Sequence, residues 1–232
     1  MKDNKSLYFD IWRKREFRAL LRVYTQTANQ FKTQEEMILG FGKMLDRYVE
    51  GGHQKYIGTK KQWSSAYTLG RELGVFRSKI GESYELSRIA KSFLESKILG
   101  SEYLLLYLLN LNQLIGGKLV HPFYEVLMVV KQNGGQITKN NVKNIPQFRL
   151  SQIKQDNQRQ IVNVFFHRMV EAQVIEATSE KDTYRITSRY SLDQLIKNCY
   201  IINKLPEENE RMQHEEYVDM LSTLNPLVPT YK

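Results

Sequence analysis

The run Gln147-Phe148-Arg149-Leu150-Ser151-Gln152-Ile153-Lys154-Gln155-Asp156-Asn157-Gln158-Arg159-Gln160 concentrates side chains that donate and accept hydrogen bonds in pairs. A Gln or Asn amide matches the major-groove edge of adenine with two bonds, and an Arg fork matches that of guanine. Arg149, Ser151, Gln152, Lys154, Gln155, Asn157, Gln158 and Arg159 are therefore candidates to read base edges. An earlier stretch, Lys60-Lys61-Gln62-Trp63-Ser64-Ser65 followed by Arg71, offers a second set of the same kind. Lys79, Lys181 and Arg185 fall beside turns, where a cation would meet phosphates; such contacts position a protein without specifying sequence. Arg13, Lys14 and Arg18 crowd one side of an N-terminal helical pattern that could lie along a phosphate backbone. The plain alternative throughout is a solvated polar loop or helix face.

Chemistry of bond cleavage has much weaker support. A metal-dependent nuclease of the restriction type needs an acid and then Glu-x-Lys on an adjacent strand, to hold a divalent cation and support the attacking water. Glu95-Ser96-Lys97, with Glu82 or Glu85 upstream, is the available match, but it falls at the end of a helical pattern. Glu95 and Lys97 are the weak catalytic candidates. The histidines, His53, His121, His167 and His214, include no pair at helical metal-ligand spacing. Cys199 is the one cysteine, so an intrachain disulfide and a Cys-rich zinc site are excluded. It reads as a packed thiol in an apolar helix. The glycine-rich loop at 50–61 lacks the Gly-Lys-Ser/Thr triplet of a phosphate-binding loop, and nucleophile-elbow and dinucleotide glycine patterns are absent. The expectation is no catalytic site, no cofactor and no metal in this chain.

Charge is unevenly spread. Lys and Arg outnumber Asp and Glu by 19 to 11 in residues 1–100 and by 13 to 8 in 101–205, but fall to 2 against 6 in 206–232. A basic body favours a polyanion, because each neutralised phosphate releases counterions. Hydrophobic residues make up 41% and charged residues 25%, a globular composition. No signal peptide is visible, and the longest apolar run, at 103–109, is too short to span a bilayer. A cytoplasmic protein without a membrane partner is expected.

These side chains need elements to hold them. Helical patterns fall at 8–28 and at 33–48, where Thr33 and Glu36 have capping-box spacing. A helix from Trp63 ends at Gly74. Then follow Val75-Phe76-Arg77, a turn, Ser83-Tyr84-Glu85-Leu86, and a helix capped by Ser87 and running to Ile98. The order then recurs. A leading helix at 102–116 precedes one from His121 to Gln132, closed by Gly134-Gly135. Extended Gln136-Ile137-Thr138 leads to a short helix at 139–145. The next helix runs from Gln158 to Ala172, with Ile161, Val164, Phe165 and Val170 inward. A hairpin of 174–177 and 183–187 follows, then a helix from Ser191 to about Leu205. Residues 206–232 read as a peripheral helix with a loose end. The fold expected is mainly α with short β-hairpins (α+β), as tandem winged-helix units with flanking helices. Its divisions are 1–98, 99–205 and an acidic tail at 206–232.

Trp63 to Gly74, Tyr84-Glu85-Leu86-Ser87-Arg88-Ile89-Ala90-Lys91, the apolar helix at 102–116, and His121 to Lys139 together resemble the DNA-recognition region of FokI-type restriction endonucleases. That resemblance covers about half the chain. It implies sequence-specific binding of double-stranded DNA within a bacterial restriction-modification or antiviral defence system, with a nuclease supplied by a partner subunit. Tandem winged helices also occur in plasmid replication initiators and transcriptional regulators, which form the second reading; a protein-interaction adaptor is the third.

Overall fold

The computed structural model describes residues 1–9, 17–48, 70–78, 84–205, 210–223 and 225–228. The expected start of the helix at 63 and the basic loop at 50–61 lie outside these residues. The fold is α+β, helices accompanied by sheets of two or three strands.

Leu7 and Phe9 are fully buried and Tyr8 between them is 46% exposed. That is the alternation of an extended segment, so the helix expected from residue 8 is corrected there. Helix α1 spans Phe17–Gln30. Its connection to α2 (Gln34–Tyr48) is set by a reciprocal cap. Glu36 accepts from the Lys32 and Thr33 backbone N–H groups, and Thr33 Oγ1 accepts from Glu36 N–H. Those backbone donors, Lys32 first, hold the Glu36 carboxyl below its ordinary range.

Residues 70–72 are helical, and Gly74, at φ +63°, reverses the chain. Strands β2 (Phe76–Ser78) and β3 (Tyr84–Leu86) pair antiparallel, with Phe76 opposite Leu86. Ser87 caps α3 (Arg88–Leu94) by accepting from Ala90 N–H. The expected extension to Ile98 fails because Ser96 takes a left-handed φ of 59°.

Helix α4 (Gly100–Asn110) is buried continuously from Ser101 to Leu109 and stands at the centre of the core. It ends six residues before the expected 116. Instead Gln113–Ile115 (β4) and Lys118–Val120 (β5) form a hairpin around Gly116 and Gly117, at φ +56° and +77°. Two successive positive φ values suit a two-residue hairpin turn and favour glycine. Strand β1 (Asp3–Asn4) adds parallel to β4.

Next come α5 (Pro122–Gln132), β6 (Gln136–Thr138) and α6 (Lys139–Lys143). Two 3₁₀ turns, Pro146–Phe148 and Leu150–Gln152, lead into α7 (Gln155–Glu171). Strands β7 (Ile175–Ala177) and β8 (Thr183–Ile186) close the unit. The sheet order is β6-β8-β7, all antiparallel. Val170, expected inward, is 40% exposed; Val162, Phe166 and Met169 join Ile161, Val164 and Phe165 in the core.

Helix α8 (Leu192–Lys197) stops well short of Leu205. Beyond Asn198 the backbone bonds elsewhere: Tyr200 N–H donates to Leu109 O, and Tyr200 O accepts from Asn112 Nδ2. The tail also differs from a loose end. Helix α9 (Glu210–Leu221) packs on β2 and α4, with Val218 and Leu221 fully buried. Its approach requires Gly74, where a Cβ would lie 2.4 Å from Leu221 Cδ1.

A polar cluster joins these parts. Arg168 of α7 is fully buried and bonds both Glu72 and the Tyr107 hydroxyl. Tyr107 of α4 donates to the same carboxylate, and Tyr217 of α9 donates to Glu72 O at 2.6 Å. The guanidinium lies 4.5 Å from the Phe9 ring centroid and 5.2 Å from that of Tyr107. Removing one partner of a buried ion pair leaves an uncompensated charge. Glu72→Ala is expected to destabilise the chain by about 3 kcal/mol in urea unfolding. The pair Glu72→Leu with Arg168→Met should cost less than Glu72→Ala alone.

His121 gives a pH prediction. Its Nδ1 accepts from Tyr124 N–H at 3.0 Å, and its Nε2 faces Leu109 O at 2.9 Å. Since a carbonyl only accepts, the ring is the neutral Nε2–H tautomer. Burial lowers the pKa of His121, and burial also lowers that of His214. The unfolded chain therefore takes up these protons near pH 6.5 while the folded chain does not. Their contribution is complete above about pH 6.5 and is lost as pH falls toward the lowered folded values. Tm should drop between pH 7.5 and 5.5, and His121→Asn, which can still cap α5, should flatten that drop.

Candidate nucleic-acid interface

Thr138 starts the site. Its hydroxyl accepts from Asn141 N–H, and Asn141 Oδ1 accepts in return from Thr138 N–H, a reciprocal cap that fixes α6 directly after β6. A cleft of about 310 Å³ opens between α6, the first turns of α7 and the tip of the β7–β8 hairpin. Lys139 and Lys143 come from α6, Gln155 and Arg159 from α7, and Asp182 from the hairpin. Lys139 Nζ lies 3.8 Å from Asp182, tying the hairpin to the start of α6. Arg159 leans on Asp156 at 3.7 Å with both side chains largely in solvent. Among the described residues no carboxylate pairs with Lys143, Lys154 or Lys181. The helix N-terminus adds partial positive charge to this face.

From the polar run at 147–160, Gln155, Gln158 and Arg159 line this cleft. Ser151, Gln152, Lys154, Gln155, Asn157 and Arg159 are exposed, as is Lys181 in the hairpin turn. Three of the expected contact residues go elsewhere. Gln158 is 8% exposed and donates through Nε2 to Ile153 O at 2.8 Å, so it fixes the entry to α7 rather than reaching outward. Arg149 is half-buried, with its guanidinium over Gly116. Arg185 bonds Glu176 across the hairpin at 2.8 Å.

The first set does not join them. Arg13, Lys14, Lys60, Lys61, Gln62, Ser64 and Lys79 lie outside the described residues. Arg18 pairs with Glu171 at 3.9 Å. Glu171 ends α7, about 24 Å along the helix from its start. Arg71 lines a different cavity, of about 420 Å³ and mainly apolar, between the N-terminus, residues 110–113 and α9. Lys139, Asn140, Lys143 and Asn163 were missed by the sequence reading. The short helix at 139–145 was legible, but not that it faces Arg159.

The weak catalytic candidates sit together in the turn after α3. Lys97 Nζ lies 2.7 Å from Glu95, and each side chain is more than half exposed. Among the described residues no three His, Cys, Asp or Glu come together in a way that could hold a metal ion. No helix among them is long and apolar enough to cross a membrane.

No protein-family model matches the sequence, and no curated protein does. A solved structure similar to it is the BpuJ1 endonuclease binding domain, crystallised in complex with pyrene- and phenanthrene-modified DNA. The identity is 13%, the TM-score 0.58, and the match covers 88% of this chain and 90% of that one. The two share a fold.

Cys199 donates weakly to Leu195 O, and burial pushes its thiol up to about 12. The thiolate is the reactive form. At pH 8 a disulfide reagent should label the folded chain on the order of 10³-fold more slowly than the chain in guanidinium.

Proposed function

We propose that this chain is a duplex-DNA-binding protein whose second unit, α5–β6–α6–α7–β7–β8, is a winged helix reading DNA with the first turns of α7. The observation that carries this reading is the convergence of Lys139, Lys143, Gln155 and Arg159 on one open cleft. Cations there would neutralise phosphates, and the planar amides and guanidinium would reach base edges. The β7–β8 turn, with Lys181, would lie beside the groove as the wing. The shared fold with a DNA-bound endonuclease binding domain supports the same reading.

The particular role that fits best is sequence recognition in a restriction or phage-defence system, with cleavage carried out by a nuclease partner. A first unit around the β2–β3 hairpin, within residues 1–98, would supply further contacts. A replication initiator or a transcriptional regulator would use the same face but a different target: repeated sites, or an operator.

Selection of bound sequences from a random duplex library, followed by binding titrations over a salt series, tests the proposal. We expect one enriched motif and an affinity that falls steeply with salt. Gln155→Ala should relax the preference at one base pair and weaken the selected duplex by about 5-fold to 150-fold. Arg159→Ala should act similarly at a neighbouring position. Failure of the parent chain to bind any duplex at low salt would remove the DNA reading.

A further inference from the structure

The connection between α6 and α7 carries a second basic feature that no base-reading role absorbs. Its two 3₁₀ turns meet at Arg149, held at φ 49° and ψ 30°. A left-handed backbone is disfavoured for a residue that carries a Cβ. The conformation sends the guanidinium across the β4–β5 turn. A Cβ on Gly116 would lie 1.3 Å from Arg149 Nη1, so the planar group rests directly on bare backbone.

The turn itself is latched from behind. Gly116 N–H donates to Asn4 O at 2.9 Å, and Gly117 N–H to Asp3 Oδ1 at 3.1 Å. Leu7 N–H donates to Phe148 O at 2.9 Å, fastening the N-terminal segment to the first 3₁₀ turn. The β1–β4–β5 sheet is thus docked on the helix connection. Its tip, Gly116-Gly117-Lys118, is exposed, and a Cβ on Gly117 would meet nothing within 4 Å. Among the described residues no carboxylate pairs with Arg149 or Lys118. Lys2 and Lys5 flank β1, both exposed. The hairpin tip is tied to the start of α6, and this glycine turn to the connection after its end. The two therefore bracket α6.

We propose that the Gly116–Gly117 turn, with Arg149 and Lys118, is a phosphate grip on the duplex backbone, at the other end of α6 from the β7–β8 hairpin. It rests on the DNA reading above. Arg149 presents a fork whose orientation is already fixed by packing, suited to two bonds with one phosphate. Lys118 adds a point charge, and Gly117, with open space where a side chain would be, lets the DNA backbone come close. With the hairpin lysine, the grip would fix the register in which α7 meets the bases.

Lys118→Gln and Arg149→Asn test this; Asn tolerates the left-handed backbone. The probes are a duplex carrying the selected motif and a scrambled duplex, titrated from 50 to about 300 mM salt. Each variant should lower the slope of log K against log[salt] by about 0.9 and weaken both duplexes by a similar factor, about 3-fold to 10-fold. The ratio between selected and scrambled duplex should not move. A parent chain that binds, with variants that overlay it in slope and affinity, overturns the grip and leaves the DNA reading standing. A change in the selected-to-scrambled ratio overturns it as well, since that marks base reading. A parent chain that binds neither duplex overturns both. Circular dichroism melts of Arg149→Asn separate lost contact from lost fold, and Lys118→Gln, wholly at the surface, carries the test if that variant unfolds.

Discussion

One buried guanidinium ties together elements that lie far apart in the sequence. Arg168 has no exposure to solvent, and its charge is met by Glu72, the Tyr107 hydroxyl and two aromatic faces. Burying a cation is costly unless it is paired and hydrogen-bonded. The partners of this α7 residue come from three separate places: residues 70–72, α4 and the N-terminal segment that carries Phe9. Helix α9 joins through Tyr217, which bonds the backbone of Glu72. The requirement to satisfy one charge thus fixes how the N-terminal hairpin region, the central helix and the later three-stranded unit meet.

That constraint also determines what remains exposed. Helix α7 is buried through Ile161, Val162, Val164, Phe165, Phe166, Arg168 and Met169, so its middle and C-terminal turns belong to the core. Its first turns project beyond the core, preceded by a connection that α6, Gln158 and the β4–β5 turn hold in place. A rigid helix with an exposed, polar, cation-flanked start is a suitable reading head, because side chains on a packed element keep their geometry.

Electrostatics divides the molecule accordingly. Among the described residues, carboxylates of the acidic tail turn to the first hairpin. Glu215 lies 3.5 Å from Arg77 of β2, Asp219 bonds the same guanidinium, and His214 Nε2 meets Phe76 O at 3.1 Å. Two carboxylates of α9 are thereby paired with the first hairpin, while Lys139, Lys143 and Arg159 line the cleft. A net charge of +9 alone could not have shown that separation.

The sequence by itself determined the local elements whose causes are local. The caps at Thr33, Ser87 and Thr138, the glycine stop at Gly134-Gly135 and the alternating strands of β7 and β8 are all written in neighbouring residues. It also marked the polar run that becomes the exposed start of α7. It misjudged places where distant residues compete. Helix α4 ends early because a glycine pair makes a hairpin, α8 ends because residues 109–112 take up its following backbone, and Leu7 and Phe9 extend to fill a slot beside Phe165. Only the tertiary structure decided that Gln158 turns inward, that Arg149 lies on Gly116 and that Lys139 and Lys143 face Arg159. Periodicity identifies a helix and the side it buries. Which charges share a surface depends on how helices far apart in sequence are packed, and here a buried arginine sets that packing.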